Sequence, residues 1–453
     1  MADNQTAVAL VDYTSDSDAL SALVTDALAE AKAQGASTAE AGIHVESGLE
    51  VTVRMGEVET VEHTSDKSLG VTVYFGQRKG SATTSDFSAA AIKDTVRAAC
   101  SIARYTAEDE YAGLADADMM ARDIPDLDLN HHWNISADAA IELATECETA
   151  ARDCDKRIVN SEGATVSSHQ ALRVYANSHG FIGGYPSTYH SASCAVIGQE
   201  GEGMQRDYWY DAVRDSIDLN NVKAIGKMAA ERTLRRLNGR RLPTGNAPVI
   251  FAADIASTLA GHLIAAIRGG SLYRKASFLL DYLDKQIFPE HINIHEEPHL
   301  KKAMGSAPFD SEGVANGHHV LVENGILQSY VLDSYSARKL GMKTTGNAGG
   351  VHNLIIDHGD DSFDDLVKQM NKGLIVTELM GQGVNIVTGD YSRGASGFWV
   401  ENGEIQYPVE EITIAGNLRD LFMHIDAVGN DVDLRGNTRT GSILIEDIMI
   451  GGE

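Results

Sequence analysis

Cysteine, proline and basic residues are all scarce in this chain of 453 residues, which has 4 Cys, 8 Pro and 37 Lys plus Arg against 65 Asp plus Glu. The shortage of base leaves a net charge of -28. That disfavours direct nucleic-acid binding, because a phosphate backbone needs clustered cations. The densest basic group, Arg232, Arg235, Arg236, Arg240 and Arg241, ends a helical segment and reads as serving its C-terminus and a solvated face. Cys100, Cys147, Cys154 and Cys194 show no Cys-x-x-Cys spacing, which excludes a zinc knuckle and fits a reducing compartment. Residues 1–18 lack a basic stretch followed by an apolar one. The longest weakly polar run, 255–267, is interrupted by Ser257, Thr258 and His262 and is too short to span a bilayer. These absences lead to the expectation of a cytoplasmic chain with no membrane segment and no nucleic-acid partner.

What is present is a globular composition, 43% hydrophobic and 23% charged, in a chain long enough for two or three domains. Leu20, Leu23, Val24, Ala27, Leu28 and Ala31 recur at helical spacing before Gly35. Short alternating runs around Ile43 and Val45, Val51 and Val53, Val58 and Val61, and Val71 to Phe75 read as separate antiparallel strands joined by glycine turns. Ser88 and Ser136 are positioned to cap helices, and a further helix is expected over 221–237. Strand-like stretches at 172–175 and 193–197 flank what reads as a Gly-rich, aromatic loop at 179–189. The segment 240–248, with two prolines, is the best linker. Beyond it, Val-Glu-Asn-Gly at 322–325 and again at 400–403 predicts two tight hairpins. The expected fold is α+β, a mixed N-terminal region followed by a β-rich C-terminal domain with a few helices. Its expected segments are 1–115, 116–240 and 241–453.

Sites of familiar chemistry are sought and mostly not found. His-Glu-Glu-Pro-His at 295–299 matches H-E-x-x-H in letters, but that motif needs one helical turn to aim two imidazoles at a metal. Pro298 breaks that turn, so the segment reads as polar loop. His318 and His319 are adjacent, so on a strand they face opposite ways and cannot share a metal. Phosphate loops fail for want of a lysine at Asn347 and Ser442. His262, in the apolar helix 255–267, has no ligand-type partner one turn back, where Thr258 and Ser257 stand; a hydrogen-bonded core histidine is the plain reading. The Gly-rich segments 344–352 and 380–394 admit two readings, turns and bulges in a curved sheet or a surface where another backbone approaches.

Several stretches carry a resemblance. They include Ser-Glu-Gly-Ala at 161–164, Asn-Ser-His-Gly-Phe at 177–181, Ser-Ala-Pro-Phe-Asp-Ser-Glu-Gly-Val at 306–314 and Thr-Gly-Asn-Ala-Gly-Gly-Val-His-Asn at 345–353. Thr-Glu-Leu-Met-Gly-Gln-Gly-Val at 377–384 and Gly-Asp-Tyr-Ser-Arg-Gly-Ala at 389–395 continue the series. Taken in order along nearly the whole chain, these resemble the TldE/PmbA branch of the TldD/PmbA metallopeptidase family. The resemblance implies one subunit of a heteromeric zinc metallopeptidase that processes or degrades peptides, such as a peptide-antibiotic precursor or an antitoxin. It implies that the TldD-type partner carries zinc on a helical H-E-x-x-x-H motif and a C-terminal Cys. The family's older label, modulator of DNA gyrase, reads as an indirect link given this chain's charge.

Carried over residue by residue, the ligand motif falls on 257–262, where only His262 survives and Ser257 and Thr258 replace the first ligand and the general base. The segment 430–445, expected to hold the cysteine ligand, contains none. One imidazole cannot supply the three protein ligands of a catalytic zinc. The expectation is therefore no catalytic residue, no metal ligand set and no cofactor in this chain, which shapes the peptide cleft of a TldD-type partner and forms a homodimer when alone. Asn347, His352, Gly381, Gln382, Gly383, Asp390, Tyr391 and Arg393 are the candidate substrate or partner surface. Two alternatives stay open: an autonomous metallopeptidase built on His262 with Asp390 or His352, and a non-catalytic peptide-binding adaptor.

Overall fold

The structure, a computed structural model, describes residues 16–452; most of the polar segment 1–18 lies outside the described residues. The chain divides into two compact units, the first made of 1–49, 63–120 and 169–188 and the second of 50–62, 121–168 and 189–453.

In the first unit, helix α1 (Ser17–Ala33) is capped by Asp16, whose side chain accepts from Ala19 N, and Gly35 follows its end at φ +87°. Strands β1 (Thr38–Arg54) and β2 (Glu57–Phe75) are each one long strand, not the four short ones expected. The reason is that turn geometry occurs only at Met55 and Gly56, both at positive φ, whereas Gly48 stays extended. β2 pairs antiparallel with β3 (Arg78–Thr84), from Leu69 opposite Thr84 to Phe75 opposite Arg78. Helix α2 (Ala89–Tyr105) is capped by Ser88 and buries Ile92, Val96, Ala99 and Ala103 with Leu20, Val24, Ile43 and Val71 in one core.

In the second unit, α3 (Ala137–Arg152) is capped by Ser136. Strands β4 (Ile158–Asn177) and β5 (Ile182–Glu200) each hold residues of both units, 169–188 being part of the first, and β5 takes up 182–189 of the expected loop. β5 continues antiparallel to β6 (Gly203–Val213), and α4 (Val222–Arg235) follows, capped by Asn221. Of the five arginines expected on a solvated face, Arg235, Arg240 and Arg241 are exposed as expected, whereas Arg232 and Arg236 are largely covered. Arg232 pairs with Asp207 and Asp254, Arg236 with Asp207 and Glu378, and Arg235 lies over the Phe398 ring. The acidic groups that collect them come from distant sequence positions, which spacing along the helix could not reveal.

The rest of the second unit holds two sheets. β7 (Gly245–Phe251) leads into α5 (Ala253–Ile267) and the short α6 (Gly269–Tyr273). A five-stranded sheet then contains β8 (Ile294–Glu296), β9 (His319–Glu323), β10 (Ile326–Leu327), β11 (Leu354–Ile356) and β16 (Thr438–Arg439), in the order β10-β9-β8-β11-β16. Between these strands lies α7 (Ser334–Leu340), and after them come α8 (Phe363–Met370), β12 (Gly373–Met380), β13 (Asp390–Glu401) and β14 (Glu404–Asn417). With α9 (Leu418–Met423), β15 (Ile425–Val428) and β17 (Ile443–Gly451) they complete the chain. The second sheet runs β14-β13-β12-β7-β17-β15, and an added β14–β17 pairing closes five of its strands into a ring. Both Asn-Gly hairpins form as expected, with Asn324, Gly325, Asn402 and Gly403 all at positive φ.

Alternation along β7 and β12 places α5 in the core. Val249, Phe251, Leu374 and Val376 share one apolar cluster with Leu259, Leu263 and Ile267 of α5, while Ile250 and Ile375 face Leu366 and Met370 of α8. Among the described residues no helix is long and apolar enough to cross a membrane.

Candidate functional site

Helix α5 has no side-chain cap of its own at Ala252; instead Ala253 N donates to Ser442 Oγ, 3.1 Å away. Asp431 holds that serine, accepting from its N–H and its hydroxyl at 2.9 and 2.7 Å. The C-terminal segment expected to bear a cysteine ligand thus meets α5 with hydroxyl and carboxylate groups and serves to start the helix.

His262 sits two turns further on. Its ring meets Tyr391 of β13 edge to face, with centroids 5.9 Å apart. His262 Nε2, the Tyr391 hydroxyl and Arg393 Nε are buried atoms without a hydrogen-bond partner among the described residues. Burial pushes the His262 pKa below its ordinary 6.5, and the Arg393 charge pushes it the same way. Burial raises the Tyr391 hydroxyl to about 12, with Arg393 opposing. Thr258, where the family's ligand motif would place a general base, turns its hydroxyl to Ile255 O at 2.7 Å.

This setting does not fit a catalytic metal. The nearest charged group acting on His262 is a cation, which repels a second one. Among the described residues, no group of three His, Cys, Asp or Glu side chains at metal-ligand distances includes His262. Asp390 instead accepts from Thr388 Oγ1 at 2.6 Å on an exposed turn, and His352 Nδ1 lies 3.1 Å from Gly305 O beside the five-stranded sheet.

The other expected surface residues divide between two places. Tyr391 and Arg393 join His262, as described. Gly381, Gln382 and Gly383 form an exposed turn after β12, where Gly381 is at φ +79° and Ser392 N donates to Gly383 O at 2.7 Å. A Cβ on Gly383 would stand 1.9 Å from Ser392 O, so the glycine is required by close approach of the chain to itself. Met380 and Val387, on the same turn, are large apolar side chains left 45% and 53% exposed.

Asn347 and His352 point inward. Asn347 Nδ2 donates to both carboxylate oxygens of Glu296, at 2.8 and 3.0 Å, and His352 N donates to the second at 3.2 Å. Glu296 is fully buried, and desolvation raises its pKa to about 7 despite those donors. Asp310, which accepts from Ala348 N at 3.0 Å, and Glu312 are raised by burial to about 6 and about 7. This buried carboxylate group was not singled out from the sequence; the only available signal was acidic residues set among apolar ones at 294–314.

Comparison with known proteins places these features in context. Residues 39–103 match PmbA/TldA metallopeptidase domain 1, residues 130–237 its central domain and residues 244–452 its C-terminal domain. The chain is 53% identical over 426 residues to metalloprotease PmbA of Escherichia coli O157:H7, covering 94% of both. It shares 30% identity and a TM-score of 0.92 with a solved protein of Bacteroides thetaiotaomicron described as a candidate modulator of DNA gyrase, covering 96% of this chain and 99% of that one. The solved TldE of Thermococcus kodakarensis, at 22% identity, shares the fold with a TM-score of 0.82 over 95% of this chain and 100% of that one.

Proposed function

The chain belongs to the PmbA/TldD metallopeptidase family, and from that membership we propose that it is the TldE-type subunit of a heteromeric peptidase, without a catalytic metal site on α5. The observation that carries this reading is the company His262 keeps. In place of a second imidazole, a glutamate and a cysteine, it has a tyrosine ring, an arginine and hydroxyl groups already engaged elsewhere. A bound water there would have no Lewis acid, and no carboxylate base of the H-E-x-x-x-H kind, to activate it.

In this reading the chain contributes peptide binding. The exposed turn of Gly381, Gln382 and Gly383, with Met380, Val387 and Asp390, offers exposed backbone and apolar surface to a peptide or to a TldD-type partner. Arg393 and the Tyr391 hydroxyl, lacking hydrogen-bond partners, are groups that an incoming carbonyl or carboxylate would satisfy. Asn347 and His352 would act indirectly, by holding the loop over Glu296.

Reconstitution tests the proposal. The purified chain should leave peptides intact, and chelator-sensitive cleavage, followed by mass spectrometry, should appear when a family member bearing H-E-x-x-x-H is added. Chelator-sensitive cleavage by this chain alone, lost in His262→Ala, would overturn it in favour of an autonomous enzyme. No cleavage with such a partner, and no complex with it on a sizing column, would point to an adaptor.

A further inference from the structure

Outside α5, the strand β8 and its neighbours bring together a set of ligand-type side chains. The segment 295–299 is the polar loop expected only from 297 on, since residues 294–296 form β8, paired antiparallel with β9 through Glu296 opposite His319. Strand alternation then puts His295 and Glu297 on one face and Glu296 on the buried other. The same register sets His318 across from Glu297, and His318 Nδ1 lies 2.6 Å from Glu297 Oε1. The His295 and His318 rings have centroids 5.3 Å apart. His319, as expected, turns the other way, with Nε2 2.7 Å from Ser329 Oγ. His299 pairs with Asn316 and takes no part.

We propose that His295, Glu297 and His318 form an open, three-ligand site for a divalent zinc ion on the outer face of this sheet, unrelated to the α5 motif. One potential ligand atom from each of the three lies within 4.8 Å of the others. A tetrahedral zinc with bonds of about 2.0–2.1 Å needs ligand atoms roughly 3.4 Å apart. Side-chain rotation can supply the contraction, because His318 is 56% exposed, while the β8–β9 pairing fixes the backbone of His295 and of Glu296 and His319, the neighbours of Glu297 and His318. Two imidazoles with one carboxylate favour zinc over magnesium or calcium, which prefer oxygen alone.

Asp357, which follows β11, supports the geometry. Its Oδ1 lies 3.6 Å from His295 Nδ1, within a small side-chain rotation of the hydrogen bond by which a carboxylate fixes the tautomer of a ligating histidine. Arg439 shares this cross-strand row by register, but Ile355 stands between it and His295. Three protein ligands leave at least one position of the ion open toward solvent, where water or a donor from another molecule completes the shell.

The test is zinc titration of the full, metal-stripped chain against a chromophoric chelator, with cobalt as a spectroscopic probe. One equivalent should bind with low-micromolar or tighter affinity, and cobalt should give the visible bands of a four- or five-coordinate site. His318→Ala and Glu297→Ala should each weaken binding at least tenfold while leaving the melting curve of the metal-free chain unchanged, and His262→Ala should bind as the parent does. Zinc that binds no tighter than millimolar, or that is lost in His262→Ala but kept in His318→Ala, overturns the proposal.

Discussion

At the scale of single residues, the informative groups are buried carboxylates. Glu296 has its pKa raised from 4.5 to about 7 by desolvation, so the folded state holds its proton more tightly than the unfolded chain does. Its contribution therefore favours folding below the unfolded value and is lost as pH rises through about 7. Glu296→Gln should flatten that dependence. Between about pH 5 and pH 8 the variant should gain about 3 kcal/mol on the parent, read from urea unfolding at each pH. An identical difference at both pH values would show that Glu296 does not titrate in this range. Glu148 on α3 is a second fully buried carboxyl group, which accepts from Met55 N at 2.6 Å and Gly56 N at 2.8 Å. It ties the β1–β2 turn to the helix. Glu148→Ala should cost about 3 kcal/mol, because two turn amides lose their acceptor. A loss below about 1 kcal/mol in the same unfolding assay would mean that water replaces the carboxylate.

Among elements, glycine separates helices that must touch closely from helices that need not. On α4, a Cβ at Gly226 would stand 2.0 Å from Cys147 O of α3, so this glycine sets how near the two helices approach. Gly226→Ala should destabilise by about 2 kcal/mol or more, as overpacking against rigid backbone does. On α5, Gly261 is exposed and a Cβ there meets nothing within 4 Å. Gly261→Ala should stabilise by about 0.5–1 kcal/mol through helix propensity alone. Paired thermal melts check both, and equal effects of one sign would contradict the packing described. The same element carries His262, so the second variant also shows whether α5 tolerates stiffening without loss of cleavage in the reconstituted pair.

On the scale of the whole molecule, charge is the dominant fact. With a net charge of -28, Arg232 and Arg236 committed to Asp207, Asp254 and Glu378, and Arg241 paired with Glu411, little clustered cationic surface is left for a polyanion. No complex with duplex DNA should form at about 0.15 M salt in a fluorescence anisotropy titration. Binding under those conditions would make the gyrase description of the structural relative a direct rather than an indirect pointer.

Local rules were enough to read much of this protein from its residues. Ser88, Ser136 and Asn221 begin helices because each can bond an amide within its own first turn, and the two Asn-Gly pairs turn because their backbones accept positive φ. The same holds for the absence of a second ligand on α5, since Ser257 and Thr258 are visible as letters. Tertiary structure decided what depends on distant partners. Strand length along β1 and β2 was set by pairing, not by the glycines within them, and Arg232 and Arg236 were drawn to acidic groups far away in sequence. His295 and Glu297 acquired His318 only through the register of β8 on β9. Likewise Tyr391 and Arg393 reached His262 only when β13 and α5 packed together in the core, because a site is a matter of distance in space and the sequence states only distance along the chain.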